Sequence, residues 1–123
     1  MNTGPVLVDV AVKDLSGAAL DWAAANAVGM GIELTGKYPH AQIGGRLEGR
    51  YHPSSSWAQC GPLIDKYKAC FAAYDYGYLC LLAHNDLHHG QGKGPDHLTA
   101  ACRAIVAAVL GDIVKVPACL VMP

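Results

Sequence analysis

Four groups of residues in this chain carry side chains able to do chemistry. Cys80, His84, His88 and His89 lie close together, with His97 further on. Zinc takes four nitrogen or sulfur ligands in a tetrahedron. No C-x-x-C pair is present, and the spacing of His84 and His88 serves a metal only on a helix. That stretch reads as strand running into loop, so a solvated loop beside a buried thiol is expected, with no metal and no cofactor. The second group is His89-Gly90-Gln91-Gly92-Lys93-Gly94, ahead of a helix start at Pro95-Asp96. Free amides and the helix dipole make such a start an anion site. The glycines lack the G-x-x-x-x-G-K-[ST] spacing of a phosphate loop. The segment therefore reads first as a polar connecting loop, and second as an anion site built from Lys93, Gly94 and Asp96.

Ser54, Ser55 and Ser56 lie near His52 and Cys60. A nucleophile needs a base within reach and a third group to orient that base. No G-x-S-x-G elbow is present, so the serines read as turn and cap chemistry. The fourth group is Tyr51, Trp57, Tyr67, Tyr74, Tyr76 and Tyr78. Aromatics on strands and turns fill cores, stack on ligands or form interfaces. Tyr76 and Tyr78 bracket Gly77, so at least one of them is expected to face solvent.

These groups depend on the elements that hold them. Val6, Val8, Val10 and Val12 alternate with other residues and read as a strand. A helix follows, capped by Asp14 or Ser16. Leu15, Ala19, Trp22 and Asn26 lie along one side of it, with Trp22 as a large core anchor, and Gly29 and Gly31 stop it. Ile32–Thr35 and Ala41–Arg46 read as short strands between glycine turns. Pro62 clashes with a preceding helical turn, so it is placed first in a short helix from Pro62 to Tyr67, with Trp57 in the turn before. Ala69–Asp75 and Tyr78–His84 read as a hairpin about Tyr76-Gly77.

The strongest signal is a helix opening at Pro95 and stopping at Gly111. Leu98, Ala101, Cys102, Ile105, Val109 and Leu110 form its apolar stripe. Its alanine-rich back suits close packing against another element or a second copy of the chain. Ile113–Val116 reads as a final strand.

The 123 residues fit one domain. Apolar residues at 52% supply a core, and charged residues at 15% exclude a disordered chain. The expected fold is α+β, with a small antiparallel sheet packed against two main helices and a short one. The net charge is −1 and the nine lysines and arginines are scattered, which disfavours nucleic acid as a partner. The odd count of five cysteines in apolar runs and the lack of a leader in Met1–Val12 fit a cytoplasmic protein with reduced thiols. No apolar run reaches the ~18 residues that span a membrane.

Three segments together carry a resemblance: D-L-S-G-A-A-L-D-W-A (Asp14–Ala23), Y-x-P-S-x-x-W-A-x-x-G-P-L-I (Tyr51–Ile64) and L-x-A-A-C-R-A-I-V-A-A-x-L-G-D-x-V-x-V-P (Leu98–Pro117). In this order the chain resembles the NinX-like proteins of phages and prophages, a family of unknown function. Positions matching the family's pattern include Leu20, Asp21, Trp22, Pro53, Ser54, Trp57, Gly61, Pro62, Arg103, Gly111 and Asp112. Cys60 stands where the pattern has glycine.

The resemblance implies a small phage or prophage protein in the bacterial cytoplasm and implies no reaction. With no acid–base pair standing out, a non-catalytic accessory protein is expected, one that sequesters a host factor or a nucleotide-derived signal. Ser54, Trp57, Tyr76, Tyr78, Lys93, Gly94, Asp96 and Arg103 are its candidate ligand residues, in a pocket at the interface of a homo-oligomer. The alternative is a protein–protein interaction module acting on host replication, transcription or defence.

Overall fold

A computed structural model describes residues 6–43, 46–82 and 90–121. His84, His88 and His89 lie outside the described residues. The domain is α+β, as expected, but its strands form three small antiparallel sheets instead of one.

The first sheet joins the two ends of the domain. Strand β1 (Leu7–Ala11) pairs with the last strand, β8 (Ile113–Pro117), with Asp9 opposite Lys115. Alternation turns Val8, Val10, Val114 and Val116 inward. Asp9 and Lys115 face solvent as an ion pair of 2.8 Å, a contact worth little at such exposure.

A single 3₁₀ turn (Val12–Asp14) leads into helix α1 (Gly17–Val28). Its inward face is rotated from the expected one. Leu20, Asp21, Ala23, Ala24 and Ala25 are buried, whereas Trp22 is half-buried and Asn26 is exposed. The reason is size: alanines let α1 approach its neighbours closely, and a tryptophan fits only at the margin. Gly29 at φ 77° closes the helix in the left-handed conformation that glycine adopts without strain.

The second sheet is a meander of β2 (Ile32–Thr35), β3 (Tyr38–Ile43) and β4 (Arg46–Arg50). Tyr51 leaves it and packs with Ala25 and Ala41 in a small separate core.

Helix α2 (Trp57–Lys66) begins five residues before Pro62, contrary to expectation. Ser56 caps it by accepting from the Gln59 amide, and Trp57 is its first residue, not part of a turn. Pro62 sits inside the helix with its side chain exposed. The amide it lacks would have met the carbonyl of Ala58, an exposed residue whose carbonyl water can satisfy.

The third sheet holds the largest departure. Strands β5 (Ala69–Tyr74) and β6 (Gly77–Leu82) form the expected hairpin, with Asp75-Tyr76 at the turn. The glycine-rich segment is not a loop: Gln91–Gly94 is a third strand, β7, on the open side of β6. It alternates buried glycine with exposed Gln91 and Lys93.

The physical cause is helix α3 (His97–Leu110) lying directly on β7. A Cβ at Gly90 would meet the Ala104 carbonyl at 2.2 Å and the Ala108 Cβ at 2.6 Å. One at Gly92 would meet the Ala104 amide at 2.4 Å and the Ala100 carbonyl at 2.5 Å. Every second strand residue advances roughly 6.7 Å, and every fourth helical residue about 6 Å. Gly90, Gly92 and Gly94 therefore keep step with Ala108, Ala104 and Ala100. The alanine-rich back of α3 packs on its own chain.

The opposite face of α3 packs against α1 and α2. Leu98, Ala101, Cys102, Ile105 and Val106 are buried there, with Leu15, Leu20 and Val116. Leu110, expected in the apolar stripe, is exposed. The helix starts one residue beyond Asp96 rather than at Pro95, because the Asp96 carboxylate accepts from the Thr99 amide at 2.8 Å and serves as the cap. No helix among the described residues is long and apolar enough to cross a membrane.

Candidate functional site

Closing β1 against β8 brings both ends of the chain beside the hairpin tip, and a cleft of about 730 Å³ opens between them. Its floor is the backbone of Gly92 and Gly94 with Ala107 of α3. Ala11, Val12, Lys13, Asp112 and Ile113 make one wall, and Tyr74 and Tyr76 stand on the other. Lys93 and Arg103 rise between them.

Arg103 is held by two hydrogen bonds within the chain. Its Nε donates to the Leu15 carbonyl at 2.9 Å and its Nη1 to the Lys93 carbonyl at 2.7 Å. Two of its five N–H donors are spent on these bonds, which hold the planar group in place and leave the others for the cleft. The Lys93 ammonium lies 5.8 Å from the Tyr74 ring centroid, a cation–π contact. Tyr76 is 88% exposed at the hairpin tip and lines the opening.

Of the residues expected to bind a ligand, the cleft gathers Tyr76, Lys93, Gly94 and Arg103. It does not gather the others. At the α3 terminus, where an anion site was expected, the Asp96 carboxylate itself accepts from the Thr99 amide and brings negative charge there. Tyr78 stacks on His97 with ring centroids 3.8 Å apart, and Phe71 and Trp57 meet the same imidazole at 5.1 and 5.8 Å. These four rings pack together at the start of α3, although Trp57 remains 60% exposed.

Ser54 belongs to a structural turn. Its amide donates to Asp21 Oδ1 at 2.9 Å. Asp21 is buried, and burial raises its carboxyl above the ordinary value against the lowering effect of the Ser54 hydrogen bonds. α1 thus holds the turn ahead of α2 through one buried carboxyl. His52 Nδ1 lies 2.9 Å from Ser55 Oγ, but the two are three residues apart in a turn closed by the Ser55 amide on the His52 carbonyl. That is turn geometry rather than an activated nucleophile.

Two of the thiols facing the core, Cys80 and Cys102, are poor nucleophiles, whereas the hydrogen bond with Cys102 lowers the third, Cys60, below the usual thiol value. Burial pushes Cys80 up to about 12, and Cys102 is held well above the usual thiol range by its hydrogen bond with Cys60 and by burial. Among the described residues, no three histidines, cysteines or carboxylates come together to hold a metal.

Sequence reasoning missed Lys13, Tyr74, Gln91 and Asp112 as cleft residues. Tyr74 stood only among the aromatics. No local signal marks Lys13 or Asp112, because the β1–β8 pairing alone brings them to the same wall.

Lys13, Lys93 and Arg103 give this cleft of the α+β domain a cationic lining. The family model described as "Bacteriophage P22, NinX" matches residues 11–108. The chain belongs to this NinX family, and it is a phage-type accessory protein. No curated protein matches it.

Proposed function

We propose that this protein is a non-catalytic accessory protein that sequesters a small nucleotide-derived host signal in the cleft beside β7. The observation that supports this reading is the convergence of Lys13, Lys93 and Arg103 with Tyr74 and Tyr76 on one opening of about 730 Å³. Cleft volumes of this order enclose small organic ligands. Cationic groups match phosphate, and the tyrosines offer flat faces to a base.

A panel of cyclic nucleotides and ADP-ribose-type ligands tests the reading by thermal shift. At a hundredfold excess over Kd, a ligand adds about 2.7 kcal/mol of stability, a shift read easily. No shift with any phosphate-bearing nucleotide sinks the reading. A second reading, a module docking on a host protein, draws on exposed Trp57 and Tyr76. A native mass spectrum separates the two readings: a retained small molecule supports sequestration, a stoichiometric host protein supports docking, and the same spectrum reports whether the chain is a homo-oligomer.

A further inference from the structure

We infer that the phosphate of the bound nucleotide is gripped by the outer edge of β7, through the backbone amides of Gln91 and Lys93 together with the unspent donors of Arg103. This rests on the sequestration reading and adds which atoms recognise the anion.

The hydrogen-bond parity of β7 carries the argument. The Leu82 amide donates to the Gly90 carbonyl at 3.1 Å. In an antiparallel ladder, directly bonded pairs alternate with unbonded ones. With Cys80 opposite Gly92 and Tyr78 opposite Gly94, Gly90, Gly92 and Gly94 spend their polar groups on β6. Gln91 and Lys93 therefore turn theirs to the other edge. The 2.7 Å bond from Arg103 to the Lys93 carbonyl on that side agrees.

β7 is the last strand of its sheet, so among the described residues no strand pairs with this edge, and both residues line the cleft. Among the described residues no acceptor pairs with either amide. Arg103 also changes the balance of the edge. An added peptide strand needs acceptors as well as donors, and Arg103 has taken the Lys93 carbonyl. Two amides, a guanidinium and the Lys13 ammonium remain against the single free carbonyl of Gln91. That donor excess suits an oxyanion better than a strand. Asp112, on the facing wall, can accept from sugar hydroxyls but not from phosphate, which favours a nucleotide over the bare anion.

The test pairs Lys93→Ala with Lys93→Pro. Alanine removes the ammonium and keeps the amide. Proline removes both, and it is tolerated where the missing N–H lies outside the ladder. ADP, pyrophosphate and adenosine are titrated by calorimetry and followed in amide-resolved NMR spectra. ADP and pyrophosphate are expected to shift the Gln91 and Lys93 amides of the unmodified protein, and adenosine to leave them in place. Lys93→Pro is expected to bind ADP about tenfold more weakly than Lys93→Ala.

Equal binding by the two variants, or adenosine binding as tightly as ADP, overturns the inference while leaving sequestration standing. Failure of every nucleotide to bind the unmodified protein overturns both. Should Lys93→Pro not fold, the amide shifts of the unmodified protein decide: unmoved Gln91 and Lys93 amides in the ADP complex refute the assignment.

Discussion

Replacing Gly92 with alanine adds one methyl group where the floor of the cleft rests on α3. The new Cβ would lie 2.4 Å from the Ala104 amide, 2.5 Å from the Ala100 carbonyl and 2.9 Å from the Arg103 Cβ. Carbon contacts are comfortable at about 3.5–4 Å, so relief requires β7 and α3 to part by roughly 1 Å. Neither can yield cheaply. The nearest atoms are helix backbone, and β7 is bonded along its other side to β6. Overpacking of a core costs about 1–3 kcal/mol, and contact with backbone on both sides puts this substitution at the upper end. About 3 kcal/mol corresponds to a fall in Tm of ~12 °C for a domain of this size. Gly61→Ala is the matched control. Nothing lies within 4 Å of its Cβ, and alanine in a helix gains about 0.5–1 kcal/mol over glycine, so its Tm should rise by ~2–4 °C. Differential scanning calorimetry reads both. A Gly92→Ala protein melting within ~2 °C of the parent would refute the direct contact of strand and helix.

Asp21 supplies a pH-dependent prediction. Its folded-state carboxyl titrates above the ordinary value of 3.8, so the folded protein binds more protons than the unfolded chain in that window. Its contribution to stability is fully present below pH 3.8 and is lost as pH rises through the folded value. Asp21→Asn keeps an oxygen for the Ser54 amide and removes the loss. Urea midpoints should therefore show the variant gaining on the parent across that window, and parallel pH profiles would count against the assignment. Asp21→Ala leaves the Ser54 amide unpaired and should cost about 1–3 kcal/mol below that window, and less above it. Asp96→Ala removes the cap of α3 and should cost about 1 kcal/mol, with faster hydrogen exchange confined to the Thr99 end of the helix. Uniform loss of protection along α3 would contradict a local capping role.

Some of this architecture is readable from the residues alone. The β5–β6 hairpin follows from aromatic and apolar runs around a tight turn, and the β1 and β8 strands follow from valine alternation. β7 escapes because glycine carries no strand preference. Its signal lies in two matched periods, glycine at every second position from Gly90 to Gly94 and alanine at every fourth from Ala100 to Ala108, and neither means much without the other. The early start of α2 escapes because Pro62 argues against it more loudly than Ser56 argues for it. In the cleft, Lys93 and Arg103 are visible as chemistry, but their meeting with Lys13 and Asp112 is a product of topology. Trp57 and Tyr78 have the right chemistry for a ligand, and the fold commits them to the rings around His97.

The pairing of β1 with β8 also governs when the cleft can exist. Asp9 and Lys115 are 106 residues apart, so their strands meet only after a loop of nearly the whole domain has closed. Such non-local pairings form slowly, because chain entropy is lost before contacts repay it. On the ribosome β1 emerges first and β8 last, so β1 waits unpaired through synthesis of the whole domain. Ala11–Lys13 and Asp112–Ile113 sit at the junction of that closure, and the wall they form is absent from any nascent or partly folded chain. On the proposed reading, ligand capture would be reserved for finished molecules, and a bound ligand, by bridging that wall to β7, would act as a clasp that slows reopening of the domain.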